Sequence, residues 1–140
     1  MPIDELNWMT NQWSETGETR LSLLAGGVKH GLSKMLTDLG NLSYVELAGE
    51  RMKLGLLLYD PEEVHDCFSD NPHNSHYYDV MGMLAIYRGT YTRNDGSKVS
   101  GPRLNDLVVE KDVGLTEEMD RHLAETQAAM AALKARAETL

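Results

Sequence analysis

The sequence predicts an all-α protein built as an up-down helical bundle with a long polar loop. Three observations carry this. Apolar residues recur at helical spacing along most of the chain. Turn and cap signals divide that pattern into helix-length segments. The C-terminal part keeps one apolar seam, Met119, Leu123, Thr126, Met130, Leu133, Ala137 and Leu140, spaced alternately four and three apart as in bundle packing.

Taken in order, Ile3 to Trp13 places Leu6, Trp8, Met9 and Trp13 on one side of a short docking helix. A second helical pattern runs through Leu21, Leu24, Ala25, Val28, Leu32, Met35, Leu36 and Leu39. Gly26-Gly27 and Gly31 weaken it, since glycine in a helix interior costs roughly 1 kcal/mol relative to alanine. A late start or a break near Gly26-Gly27 is expected, and Gly40-Asn41 reads as a stop. Ser43 with Glu46 forms a capping box for the next helix, which runs to about Tyr59 with Val45, Ala48, Met52, Leu56 and Tyr59 as its inner stripe. Asp60-Pro61 ends or restarts that helix. Asn71-Pro72 reads as a cap followed by proline at the first helical position, and the helix beyond buries Tyr77, Val80, Met81, Leu84, Tyr87 and Tyr91. Asn94-Asp95-Gly96 and Ser100-Gly101-Pro102 are turn signals, and an irregular loop is expected between them in preference to a small hairpin. Leu104, Leu107 and Val108 make a short apolar turn. Thr116 is expected to cap the last helix, whose positive end suits Glu117 and Glu118.

The 140 residues fit one domain, with 41% hydrophobic residues to build a core and 25% charged residues to solvate it. A net charge of −9 argues against nucleic acid and anionic membranes as partners. The single cysteine excludes an internal disulfide. No apolar run reaches the length of a membrane span, and the opening Met1-Pro2-Ile3-Asp4-Glu5 lacks the pattern of a secretory signal.

Chemistry concentrates in Glu62 to His73, between two apolar helical patterns. This stretch holds Cys67 and two of the five histidines, His65 and His73. Imidazole, thiolate and carboxylate from His65, Cys67, Asp70 and His73 would suit zinc or iron. The plainer alternative makes Cys67 and Phe68 apolar plugs, Asp70 and Asn71 helix caps, and the histidines partners of loop carbonyls. Glu62 and His65 have the Glu-x-x-His spacing of di-iron bundles, but no second such pair completes a site. A nucleophilic role for Cys67 is disfavoured by the acids around it. On the preceding helix, Glu46 and Glu50 share a face. They form either a cation site or a polar network with Arg51, or else a capping box (Glu46) and a Lys53 pair (Glu50). On residues alone these readings stay open.

Several motifs resemble one family. Leu47-Ala48-Gly49-Glu50-Arg51-Met52 resembles a helix of the imelysin family. Glu63-x-His65-x-Cys67-Phe68-Ser69-Asp70-Asn71-x-His73 resembles its long signature, and Gly82, Tyr87, Gly89 and Tyr91 resemble the segment that follows. The likeness runs through nearly the whole chain, and residues 1–140 read as a single, partial imelysin-like helical domain that corresponds to the central and C-terminal part of the family. The resemblance implies one bundle of a two-bundle fold, location in the periplasm or cell envelope, and a place in bacterial iron uptake. Iron or zinc is the implied ligand. The family is classed as metallopeptidases, but its Gly-x-His-x-x-Glu motif is absent here: Gly27-Val28-Lys29-His30 has another spacing and no glutamate three residues after the histidine. Pro72 stands where the family usually has threonine and Asp66 where it has serine. The residues carried over are Glu50, Arg51, His65, Cys67, Ser69, Asp70, Asn71 and His73, as one wall of a metal- or ligand-binding cleft, with His65 and His73 as the metal ligands. The other wall would come from a missing N-terminal bundle, a partner chain or a second copy. The alternatives are half of a metallopeptidase completed by such a partner, and a structural helical remnant.

Overall fold

The computed structural model describes residues 26–139. They belong to two compact units that divide between Tyr44 and Val45. The expected docking segment, Ile3 to Trp13, lies outside the described residues, as does the start of the second helical pattern.

In the first unit, helix α1 spans Gly27–Gly40. It begins at the Gly26-Gly27 pair, with Gly27 at φ +74°, as the glycine pattern predicts. None of its residues is buried, and Lys34 pairs with Asp38 one turn on. Gly40-Asn41 does not stop it. Asn41 keeps right-handed helical angles, φ −63° and ψ −46°, and the backbone continues into a π-helical segment, Asn41–Leu54. The capping box at Ser43 therefore has no helix start to cap, because the amides it would satisfy are already inside a helix.

The π-helical pitch changes which side chains share a face. Its hydrogen bonds reach i+5 instead of i+4, so neighbours along the segment are five apart. Leu47 is buried, 3% exposed, and Met52, five residues on, packs on the same core. Of the stripe expected from α-helical spacing, Met52 packs on the core, but Val45, Leu56 and Tyr59 are 46%, 75% and 92% exposed. After a short helix α2, Gly55–Leu58, Tyr59 takes a left-handed conformation and ends the rod.

The rest of the second unit is a helical bundle with one small hairpin. Helix α3, Pro72–Arg88, has Pro72 in its first turn. Its apolar face buries Val80, Leu84 and Tyr87, as expected, and also His76, which the apolar pattern did not include. Gly89 closes the helix at φ +61°, its N–H donating to the carbonyl of Ile86. Tyr91 is therefore not helical. It lies in β1, Thr90–Thr92, paired antiparallel with β2, Lys98–Ser100, in the register Thr90 to Ser100 and Tyr91 to Val99. The irregular loop is thus corrected to a hairpin. Its turn follows from Asn94-Asp95-Gly96: Gly96 adopts φ +81°, and the Asp95 side chain accepts from the N–H of Ser97 at 2.8 Å.

Helix α4, Leu104–Lys111, is longer than a single turn, and α5 spans Val113–Ala137. Asp112, not Thr116, caps α5. Its carboxylate accepts from the N–H of Leu115 at 2.9 Å, while buried Thr116 donates its hydroxyl to the Asp112 carbonyl. Helix α3 packs mainly against α5. Leu47, Val80, Leu84 and Met130 form the core, with Met52, Tyr77, Met81, Met83 and Leu123 against it. The predicted α5 seam thus enters through Met130 and Leu123, while Met119 and Leu133 stay 37% and 40% exposed. Among the described residues, no helix is long and apolar enough to cross a membrane.

Candidate functional site

The connector from Asp60 to Asn71 is built of two 3₁₀ turns. In the first, Pro61–Glu63, Asp60 is the cap and its carboxylate accepts from the N–H of Glu62 at 2.9 Å. The second, Cys67–Ser69, is flanked by Asp66 and Asp70, at φ +54° and +52°. Aspartate tolerates this left-handed region better than most side chains, so the two reversals fall on acidic residues. The Asp66 carbonyl accepts from the N–H groups of Ser69 and Asn71 and from the Ser69 hydroxyl, and the Asp66 carboxylate accepts from Ser75 of α3. The connector is thereby fastened to the helix that follows it.

These turns place His65 between two elements. Its Nε2 lies 3.3 Å from Glu46 Oε1 of the π-helical segment, and its Nδ1 lies 3.2 Å from Asp79 Oδ2 of α3. Glu46 in turn accepts from Arg51 Nε at 2.8 Å, an i, i+5 pair that the π pitch creates. The Arg51 hydrogen bond, and after it that of His65, holds the Glu46 carboxyl below its ordinary value. Glu46 raises Arg51 in return. On α3, one helical turn separates Asp79 from His76, whose ring centroid is 5.5 Å from that of His65. His76 is 4% exposed. Burial, and then the neighbouring His65 ring, lowers its pKa from the usual histidine value. Among the described residues, two buried atoms here have no hydrogen-bond partner, His76 Nε2 and Asp79 Oδ2; the latter lies close to His65 but out of hydrogen-bonding alignment.

The residues anticipated from sequence are distributed unevenly. Arg51 and His65 meet in this cluster. Glu50 is exposed on the helix surface, and Glu46 is the acid that Arg51 and His65 share. Cys67 is half-buried and free, whereas Phe68 is 96% exposed and plugs nothing. Ser69, Asp70 and Asn71 close the connector through backbone bonds, with Asp70 N–H donating to the Cys67 carbonyl. Neither acts as a side-chain cap of α3: Asp70 is left-handed, and Asn71 Oδ1 accepts instead from Asn74 at 2.7 Å. Asn74 then accepts from Lys134 Nζ at 2.6 Å, joining the start of α3 to α5. His73 is half-buried, 3.2 Å from Asn74 Nδ2. With Asp70 and His76 it lines a cleft of about 510 Å³, whose other walls include Met52, Val64 and Leu133.

The Glu46–Arg51 pair is one of the readings the sequence offers, whereas His76 and Asp79 are not among the sequence candidates. Their i, i+3 spacing beside Val80 is the available signal.

Iron or zinc held as a resident centre needs three or four converging donors. Among the described residues, no group of three or more His, Cys, Asp or Glu side chains is placed to hold a metal ion. The partnerless atoms, one imidazole nitrogen and one carboxylate oxygen, make a two-donor set. These residues alone do not fit a complete metal centre.

A pH experiment reports on the buried imidazole. Because the folded-state pKa of His76 is lowered, the unfolded chain binds the extra proton first as pH falls. Its contribution to stability is full above about 6.5, the unfolded value, and is lost as pH falls towards the folded value. The His76 Cε1–H resonance is expected to titrate below the ordinary histidine range, and the urea midpoint to drop in the same interval. A His76 resonance titrating at or above the ordinary value contradicts the burial argument.

Fold and cluster together define an α-helical domain with an ionic network that joins a π-helical segment, a polar connector and a central helix. The family model for imelysin matches residues 3–140, and the chain belongs to the imelysin family. A comparison with curated proteins gave no match.

Proposed function

We propose that this chain is one imelysin-like domain that supplies one wall of a metal- or ligand-binding cleft in bacterial iron uptake at the cell envelope, and that it does not catalyse alone. The observation that carries this reading is His65, set between Glu46 and Asp79 with Arg51 fixing Glu46. Family membership supports the setting. A metal ion would be cargo here, taken by His65 or His73 with other positions filled by water or by a facing wall. That wall would be another bundle, a partner chain or a second copy.

Calorimetric titration of iron(II) and zinc(II) into the purified chain tests the reading. One equivalent is expected to bind, with affinity falling about tenfold or more in His65→Ala. Absence of binding, or binding unchanged in both His65→Ala and His73→Ala, overturns it. Peptide cleavage by the chain alone would favour the metallopeptidase reading instead.

A further inference from the structure

We propose that two adjoining cavities at the C-terminal end of α3 bind a free α-amino acid with an apolar or aromatic side chain. The inference lies outside the His65 cluster and makes no use of a metal. The first cavity, about 350 Å³, is lined by polar residues throughout: Arg88, Thr90, Arg103, Asn105 and Asp120. The second, about 540 Å³, shares Arg88 and Thr90 with it, and there Tyr77, Tyr78, Met81 and Tyr91 supply apolar and aromatic surface. Arg88 is the one charged residue among the described residues of that second lining. A charged end and an apolar body thus have adjacent places, within the size range of small-molecule sites.

Charge selects the class. Arg103 is already matched, through Nε at 3.1 Å and Nη2 at 2.7 Å from the Asp106 carboxylate. Arg88 and Asp120 are not: among the described residues neither makes an ion pair, with the other or with a third group. Arg88 is half-buried, yet none of its nitrogens is among the buried atoms that lack a partner, so its donors stay accessible. Asp120 is exposed, and Asn105 Nδ2 lies 3.4 Å from each of its carboxylate oxygens and 3.2 Å from the Tyr87 hydroxyl. Burial first, and then the Asp120 charge, raises the pKa of that hydroxyl, while Arg88 acts on it in the opposite direction. The two charges therefore flank one spot without meeting. A cation so placed takes a carboxylate and an anion takes an ammonium. An α-amino acid carries both on one carbon, whereas either end of a peptide carries one. A zwitterion also adds no net charge against the −9 of the chain, which a plain anion would.

The test uses the full chain without added metal, titrated by calorimetry with L-phenylalanine, 3-phenylpropionate, 2-phenylethylamine and glycine. The second compound lacks the ammonium, the third the carboxylate and the fourth the ring. L-Phenylalanine is expected to bind about tenfold or more tightly than either single-charge analogue. Glycine should bind more weakly than L-phenylalanine, because it leaves the apolar cavity unfilled. In Arg88→Gln the advantage of L-phenylalanine over 2-phenylethylamine should vanish, and in Asp120→Asn its advantage over 3-phenylpropionate. No binding of L-phenylalanine overturns the proposal, and so does an affinity equal to that of any of the other three compounds. Advantages that survive both substitutions overturn it as well. Should a variant fail to fold, the four-compound comparison on the unaltered chain decides by itself. Because no metal is present, failure here is distinct from failure of the metal titration.

Discussion

Gly89→Ala is expected to destabilise the second unit by about 3 kcal/mol, read as a lowered urea midpoint with an unchanged slope. Two effects combine. Gly89 sits at φ +61°, where an L side chain costs roughly 1–2 kcal/mol. A Cβ there would also lie 2.7 Å from the carbonyl oxygen of Pro102 and 2.8 Å from that of Gly101. Both are backbone atoms, and the Gly101 N–H is bonded to the Gly89 carbonyl at 2.9 Å, so relief requires the base of the hairpin to separate from the end of α3. Gly96→Ala is the control. Gly96 is also at positive φ, yet an added Cβ meets nothing within 4 Å, so only the conformational cost remains. Equal losses at the two positions would refute the close-approach argument.

Leu84→Ala is expected to cost about 3 kcal/mol. Leu84 is 4% exposed and belongs to the core formed with Leu47, Val80 and Met130. Truncation removes buried methyl groups and leaves a cavity between α3 and its neighbours. Against the 5–15 kcal/mol typical of a folded domain, that loss is readily measured by denaturant unfolding. Leu57→Ala makes the contrast: Leu57 is 62% exposed, and a change within about 0.5 kcal/mol is expected. Comparable losses for Leu84 and Leu57 would mean that the core is placed wrongly.

Much of the architecture is legible in the residues because it is local. Val80, Leu84 and Tyr87 follow α-helical spacing, Asp60-Pro61 starts a turn, and Asn94-Asp95-Gly96 reverses the chain. The failures have a common origin in pitch and in partners far along the chain. Val45 falls inward on a period of 3.6, but Asn41–Leu54 is wound as a π-helix, and Leu47 and Met52 are the residues that reach the core; Leu56 and Tyr59 lie beyond that segment, Tyr59 at the left-handed residue that ends the rod. The same winding explains why Glu46, and not Glu50, meets Arg51. Thr116 resembles a cap by residue type, yet Asp112 lies one turn earlier and captures the free amide first. Tyr91 continues the helical pattern of α3 only until Gly89 interrupts it.

The candidate site divides along the same line. His65 and Arg51 could be singled out from the connector and the helix before it, since both are polar residues at a junction between apolar segments. Asp79 and His76 carry only their i, i+3 spacing as a signal, and a polar residue on an apolar face declares its role only when its neighbours are known.

By itself, then, the order of residues determined the helical class, the position of the polar connector and membership of the imelysin family, all of which depend on periodicity and contiguous motifs. Only the tertiary structure decided that His65 meets Glu46 and Asp79, that His76 is buried, and that His73 and Asp70 line a cleft. Those facts depend on groups many positions apart being brought within hydrogen-bonding distance, which no local pattern encodes.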